Sequence, residues 1–170
     1  MADFASIASM FPSTHPTPDA PHTRTAPRRL ESFARENFLL QTAISRTEVV
    51  QYLTKQFVEF YYNTFDSNRA GLAGLYRDES MLTFEDSAVQ GTVGITEKLT
   101  GLPFQKVRHQ LATLDAQPSG QNIIVLVTGA LLVDEEQKPM NYTQLFTLHP
   151  DGAGSYFVLN DVFRLIYAAS

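Results

Sequence analysis

Three groups of residues in this sequence carry side chains that could do chemistry or grip a partner. The first is Ser80-Met-Leu-Thr-Phe-Glu85. Its alternation predicts a short strand with Met81 and Thr83 on one face and Leu82 and Phe84 on the other. The strand ends on an aromatic ring beside a carboxylate, Phe84 and Glu85, and polar turn residues follow at once. That pattern suits a rim where a partner is held, and equally a core Phe next to a solvated acid. The second group, Asp134-Glu-Glu136, taken alone reads as a solvated acidic turn. The third is His109 with Asp115, whose even separation predicts one shared strand face and supplies a base and an acid for proton transfer. Six residues of strand, about 20 Å, is too far for a direct hydrogen bond, so a structural His is the simpler reading. His15, His22 and His149 fall in loops or linker, and no metal-ligand spacing appears. With no cysteine in the chain, thiolate zinc sites, disulfides and a cysteine nucleophile are excluded. There is no Gly-rich phosphate loop.

The chain that must position these groups has 170 residues, 44% hydrophobic and 18% charged, which fits one globular domain with a sizeable core. The formal charge of −5 is unevenly spread. Residues 55–170 carry eight Lys/Arg against thirteen Asp/Glu, whereas residues 9–54 carry five Arg against four acids. An acidic folded part disfavours nucleic acid and favours a basic protein patch as partner. Apolar runs are too short to span a bilayer, and no secretory signal is expected.

Residues 1–8 have helical character, with Phe4 and Ile7 three apart. Phe11 to Pro27 holds five prolines and reads as an extended or disordered linker. A short helix is possible over Arg28–Thr47. From Thr47 to Phe65 the spacing of Val50, Leu53, Phe57, Tyr61 and Phe65 predicts a long amphipathic helix. Asp66-Ser-Asn is expected to end it and cap a second helix, Arg69–Tyr76. A third is predicted over Thr92–Thr100, stopped by Gly101 and Pro103. Four strands follow, Val107–Leu114, Ile123–Val133, Tyr142–Leu148 and Tyr156–Tyr167, with turn sequences between them that make neighbours antiparallel. Helices followed by a meander give an α+β fold with helices on one face of a curved sheet. Strands apolar on both faces, such as Ile123-Ile-Val-Leu-Val127, suggest that the other face is covered by a second copy of the chain.

Six stretches are also familiar in type and order: residues 60–66 (Phe-Tyr-Tyr-Asn-Thr-Phe-Asp), 75–85, 102–106 (Leu-Pro-Phe-Gln-Lys), 115–118, 133–137 and 160–165. Together they resemble the nuclear transport factor 2 family, especially its fungal members, collinearly from Lys55 to the C-terminus. The resemblance implies a cone-shaped homodimer with no cofactor and no metal. It implies a carrier, not an enzyme, that takes the GDP-bound small GTPase Ran into the nucleus and binds Phe-Gly repeat nucleoporins, moving between cytoplasm, nuclear pore and nucleus. Carried over by motif, Phe84, Leu102, Phe104, Val107 and Phe163 would line a mouth that receives an aromatic side chain of Ran. Glu85, Asp134 and Glu136 would be rim acids that pair with basic Ran residues. Discrimination between GDP and GTP forms would then come from the shape of the partner's switch loop. Two other functions share the fold class: a dehydratase or isomerase working inside the cone, with His109 and Asp115, and a dimeric scaffold that reads other peptides.

The N-terminus departs from the family pattern. Joining Ala8 to Lys55 restores an uninterrupted family-like first helix, so residues 9–54 read as an insertion, in origin a gene-model artefact or a genuine extension. Residues 1–54 are therefore set apart from a domain at 55–170. An aromatic at Phe4, with Ile7, would form the nucleoporin site. In the inserted register Val50 and Leu53 take those places.

Overall fold

The computed structural model describes residues 28–167, with side chains from Arg46 onward. The first eight residues, including Phe4 and Ile7, and the proline-rich stretch to Pro27 lie outside the described residues.

Helix α1 runs from Arg28 to Ser67 as one element. The expected boundary between residues 54 and 55 falls inside it. The repeat of apolar positions three and four apart buries Val50, Phe57, Val58, Tyr61, Tyr62 and Phe65 on one stripe. Thr54, also buried in that stripe, satisfies its hydroxyl locally by donating to the Val50 carbonyl at 2.8 Å. A 3-10 helix follows at Arg69–Leu75, and Asn68 before it makes no side-chain capping bond, contrary to the expected cap. Its Leu72 is buried, as is Tyr76 beyond it. Strands β1 (Met81–Phe84) and β2 (Ser87–Gln90) form a hairpin. Helix α2 (Thr92–Thr100) has the predicted limits and buries Ile95 and Leu99.

Strands β3 (Val107–Ser119), β4 (Asn122–Val133), β5 (Met140–Pro150) and β6 (Tyr156–Leu165) then form an antiparallel meander. The first three run longer than the sequence pattern indicated, β6 ends two residues short of the expected Tyr167, and Gln117-Pro118-Ser119, expected between strands, stays in β3. The six strands make one curved sheet in the order β2-β1-β6-β5-β4-β3. Residues distant in sequence join the hairpin to the meander: β1 pairs parallel with β6, setting Phe84 opposite Phe163.

A β-bulge in β3 between Leu111 and Thr113 corrects one expectation. The extra residue reverses side-chain parity, so His109 faces inward opposite buried Leu131, while Asp115 faces outward opposite exposed Leu126. The two do not share a face. Helices cover the inner face. The outer face exposes Ile124, Leu126 and Val162 among the described residues.

Candidate partner-binding mouth

The register collects the ends of β1, β6 and β4, with the starts of β5 and β3, at one end of the sheet. There an aromatic row crosses the strands. Phe84 stacks on Phe163 with centroids 4.5 Å apart and planes 8° from parallel. Phe163 in turn lies against Tyr142 at 5.5 Å, and Tyr142 meets His109 edge-on at 5.3 Å. Leu102, Val107 and Phe163 are buried, whereas Phe84 and Phe104 are only partly covered and present the accessible aromatic surface. Each of those two rings carries a cation from this chain. The Arg69 guanidinium carbon is 4.4 Å from the Phe104 centroid, and Lys98 Nζ is 6.0 Å from that of Phe84.

The two central acids stand where strands turn. Glu85 and Asp134 are the only non-glycine residues with positive φ among the described residues, at 53° and 49°. Such a conformation costs something in any side-chain-bearing residue, and backbone bonds at both sites offset it. Glu85 donates its N–H to the Phe163 carbonyl at 3.1 Å, and its Oε1 accepts from the Leu165 N–H. Asp134 donates its N–H to the Lys106 carbonyl, and its Oδ1 accepts the N–H groups of Gln105 and Lys106 at 3.0 and 2.8 Å. Each carboxylate thus ties down backbone close to an aromatic: Leu165, two residues after Phe163, or Gln105 and Lys106, just after Phe104. Among the described residues the second oxygen of each takes no hydrogen bond. Glu136 is exposed one turn residue beyond the Lys106–Glu135 pair, which spans 3.4 Å. Arg164 pairs with Asp86 at 2.8 Å beside Glu85.

Behind the row lies a residue pair that the sequence reading missed. His109 Nδ1 lies 2.5 Å from Asp66 Oδ1, and its backbone N–H donates to Asp66 Oδ2 at 2.9 Å. Its ring is packed among Tyr62, Phe65 and Tyr142. Asp66 had read as a helix-ending residue, and nothing in its local sequence linked it to a strand more than forty residues on. Tyr142 is fully buried, and its hydroxyl finds no partner among the described residues. It lies over Gly129. A β-carbon there would sit 2.4 Å from the Gln110 carbonyl oxygen and 2.8 Å from Tyr142 Cε1. Gly129→Ala is therefore expected to cost about 2–3 kcal/mol. A lowered urea midpoint at fixed protein concentration checks it, and an unchanged midpoint would show that strand β4 yields.

At the opposite end, Val50 and Leu53 line an apolar groove of about 360 Å³ with Val49, Pro118, Ile123 and Tyr156. The mouth residues and this groove are thus separated by the length of the sheet. Among the described residues no cluster of His, Asp and Glu could hold a metal ion.

A curved sheet wrapped on helices, with aromatics and fixed carboxylates at one open end, defines a cone-shaped α+β module. A profile of the Nuclear transport factor 2 (NTF2) domain matches residues 53–165. A curated relative from Emericella nidulans, Nuclear transport factor 2, is 76% identical over 121 residues, covering 70% of this chain and 97% of the relative. The protein of that name from Saccharomyces cerevisiae is 56% identical over 119 residues, covering 69% and 94%. A solved nuclear transport factor 2 from Cryptosporidium parvum superposes with a TM-score of 0.66 at 42% identity, covering 69% of this chain and 94% of that one. The chain belongs to the nuclear transport factor 2 family.

Proposed function

We propose that this chain is a homodimeric carrier that binds GDP-bound Ran at the cone mouth and Phe-Gly repeat nucleoporins elsewhere, moving Ran from cytoplasm through the pore into the nucleus. The observation that carries the reading is the pairing of partly covered Phe84 and Phe104 with Glu85 and Asp134, whose backbone bonds leave one oxygen of each free. Burying one aromatic side chain contributes about 1.5–3 kcal/mol. Carboxylates at the rim set encounter rate and exclude acidic partners. The expected partner therefore offers a ring flanked by cations. Phe84, Leu102, Phe104, Val107 and Phe163 are assigned to the wall, and Glu85, Asp134 and Glu136 to the rim. The test is a titration with Ran loaded with GDP and with GTP. Binding of the GDP form alone supports the reading, and no binding of either refutes it.

The homodimer is assigned to the outer sheet face, whose exposed Ile124, Leu126 and Val162 form an apolar surface. The nucleoporin site is assigned to Phe4 and Ile7, or to Val50 and Leu53 in their place. Residues 9–54 are read as an insertion, in origin a gene-model artefact or a genuine extension, set apart from the domain at 55–170. A chain lacking 9–54, in which Phe4 regains the helix position, is expected to bind a Phe-Gly repeat peptide several-fold more tightly than the full chain. Equal affinity would show that Val50 serves as well. Turnover of a small molecule inside the cone would fall to the Asp66–His109 pair rather than to His109 with Asp115, which lie on opposite faces.

A further inference from the structure

We infer that Arg69 is a positioning residue of the mouth, one that sets how long the partner's ring is held by fixing Phe104 and the segment 102–106 behind it. The inference rests on the Ran-binding reading above and deepens it. Arg69 begins the 3-10 helix, outside the strands that carry the wall. Its guanidinium lies between two rings, 4.4 Å from the centroid of Phe104 and 5.4 Å from that of Phe65. It also donates from Nη2 to the Phe104 carbonyl at 3.0 Å. One planar group thus holds the ring and the backbone of the same residue, a geometry that the ammonium of Lys does not reproduce. Phe65 belongs to α1 and is buried, so the guanidinium ties the irregular connection after α2 to the helix core.

The segment it holds is irregular, and its other anchors flank Phe104 without touching its ring's cation face. Residues Leu102 to Lys106 form neither helix nor strand; Leu102 is buried, and the other polar ties run through Gln105 and Lys106 to Asp134 and, from an exposed Lys106, to Glu135. Phe104 itself is only partly covered. Without Arg69 its ring loses a cation–π face, worth more in a desolvated setting than in water, and its carbonyl loses a donor. Partial burial lowers the Arg69 pKa, and the charges of Asp134 and then Asp66 oppose that shift, so the guanidinium is balanced inside an acidic mouth. Removing its charge there makes the mouth more acidic and does not slow the approach of a basic partner. Loss of positioning appears instead as faster release.

The experiment follows binding and dissociation of Ran–GDP by stopped flow for the full chain and for Arg69→Met, Phe104→Ala and the double variant. The expected result is a dissociation rate raised about tenfold in Arg69→Met, an association rate unchanged or higher, and losses that do not add in the double variant, because both act through one ring. An unchanged dissociation rate, or additive losses, would overturn the inference whatever happens to stability. Should Arg69→Met fail to fold, Arg69→Lys carries the same test, with dissociation raised about threefold expected and wild-type dissociation contradicting. If the unaltered chain fails to bind Ran–GDP, the functional reading falls. Amide exchange of residues 102 and 104–106 then decides the inference alone: faster exchange in Arg69→Met upholds it, and equal exchange overturns it.

Discussion

Replacing Glu85 by Lys is expected to weaken Ran–GDP binding by at least about 100-fold, close to 3 kcal/mol. Two effects combine. A cation placed at the rim repels the basic groups that the acid would pair with, and the bond from the Leu165 N–H to Glu85 Oε1 is lost. Glu85→Gln separates them, because an amide oxygen still accepts from Leu165 while the charge is gone. We expect about tenfold weakening for Gln, with a shallower dependence of affinity on salt than the wild type. Calorimetric titration at two ionic strengths measures both. Wild-type affinity in Glu85→Lys, with the fold intact, would remove Glu85 from the site.

The second large effect concerns stability. Asp161 is fully buried at the centre of a polar network that joins α1, the segment after the 3-10 helix, β5 and β6. Its Oδ2 accepts from Tyr61 at 3.0 Å and Tyr76 at 2.8 Å, and its Oδ1 accepts from Gln144 at 2.7 Å. Tyr62 completes the network by donating to Gln144 Oε1 at 2.9 Å. Burial pushes the Asp161 carboxyl up from 3.8 to about 6, and the three donors, Gln144 first, pull it down less than burial raises it. The folded state thus holds a proton between pH 4 and 6 that the unfolded chain has released. Stability from this group is fully present below about pH 4 and is lost as pH rises through 6, a change of about 3 kcal/mol. Asp161→Asn should flatten that window. Asp161→Ala, which strands three buried donors, should cost about 3–5 kcal/mol at pH 7. Urea unfolding at pH 4.5 and 7, at one protein concentration, reads all three. A pH slope identical in wild type and Asp161→Asn would assign it to other carboxylates.

What was legible in the sequence follows from what is local. The α2 limits, the stripe of α1 and the four-strand meander rest on periodicity and turn residues, which act over a few positions. Phe84 and Glu85 were visible as a ring and an acid at a strand end. Their setting was not, because it depends on parallel pairing with β6 and on a bond to Leu165, eighty positions away. The bulge in β3 was invisible for a related reason. Nothing in Leu111-Ala-Thr113 marks an extra residue, and the parity argument for His109 and Asp115 failed on it. Arg69 read as an ordinary helix start, although a guanidinium shared by two rings needs the loop after α2 to fold back over it. Gly129 was the clue within reach: a glycine in the middle of an apolar strand often marks a neighbour lying across the backbone, here Tyr142.

The most direct measurement places a photo-crosslinking phenylalanine analogue at position 84, and in a second chain at position 126 on the outer sheet face, and irradiates each with Ran–GDP. The account predicts a crosslink from position 84 to a segment of Ran that carries an aromatic residue among basic ones, and none from position 126. Capture from position 126, with none from position 84, would contradict it.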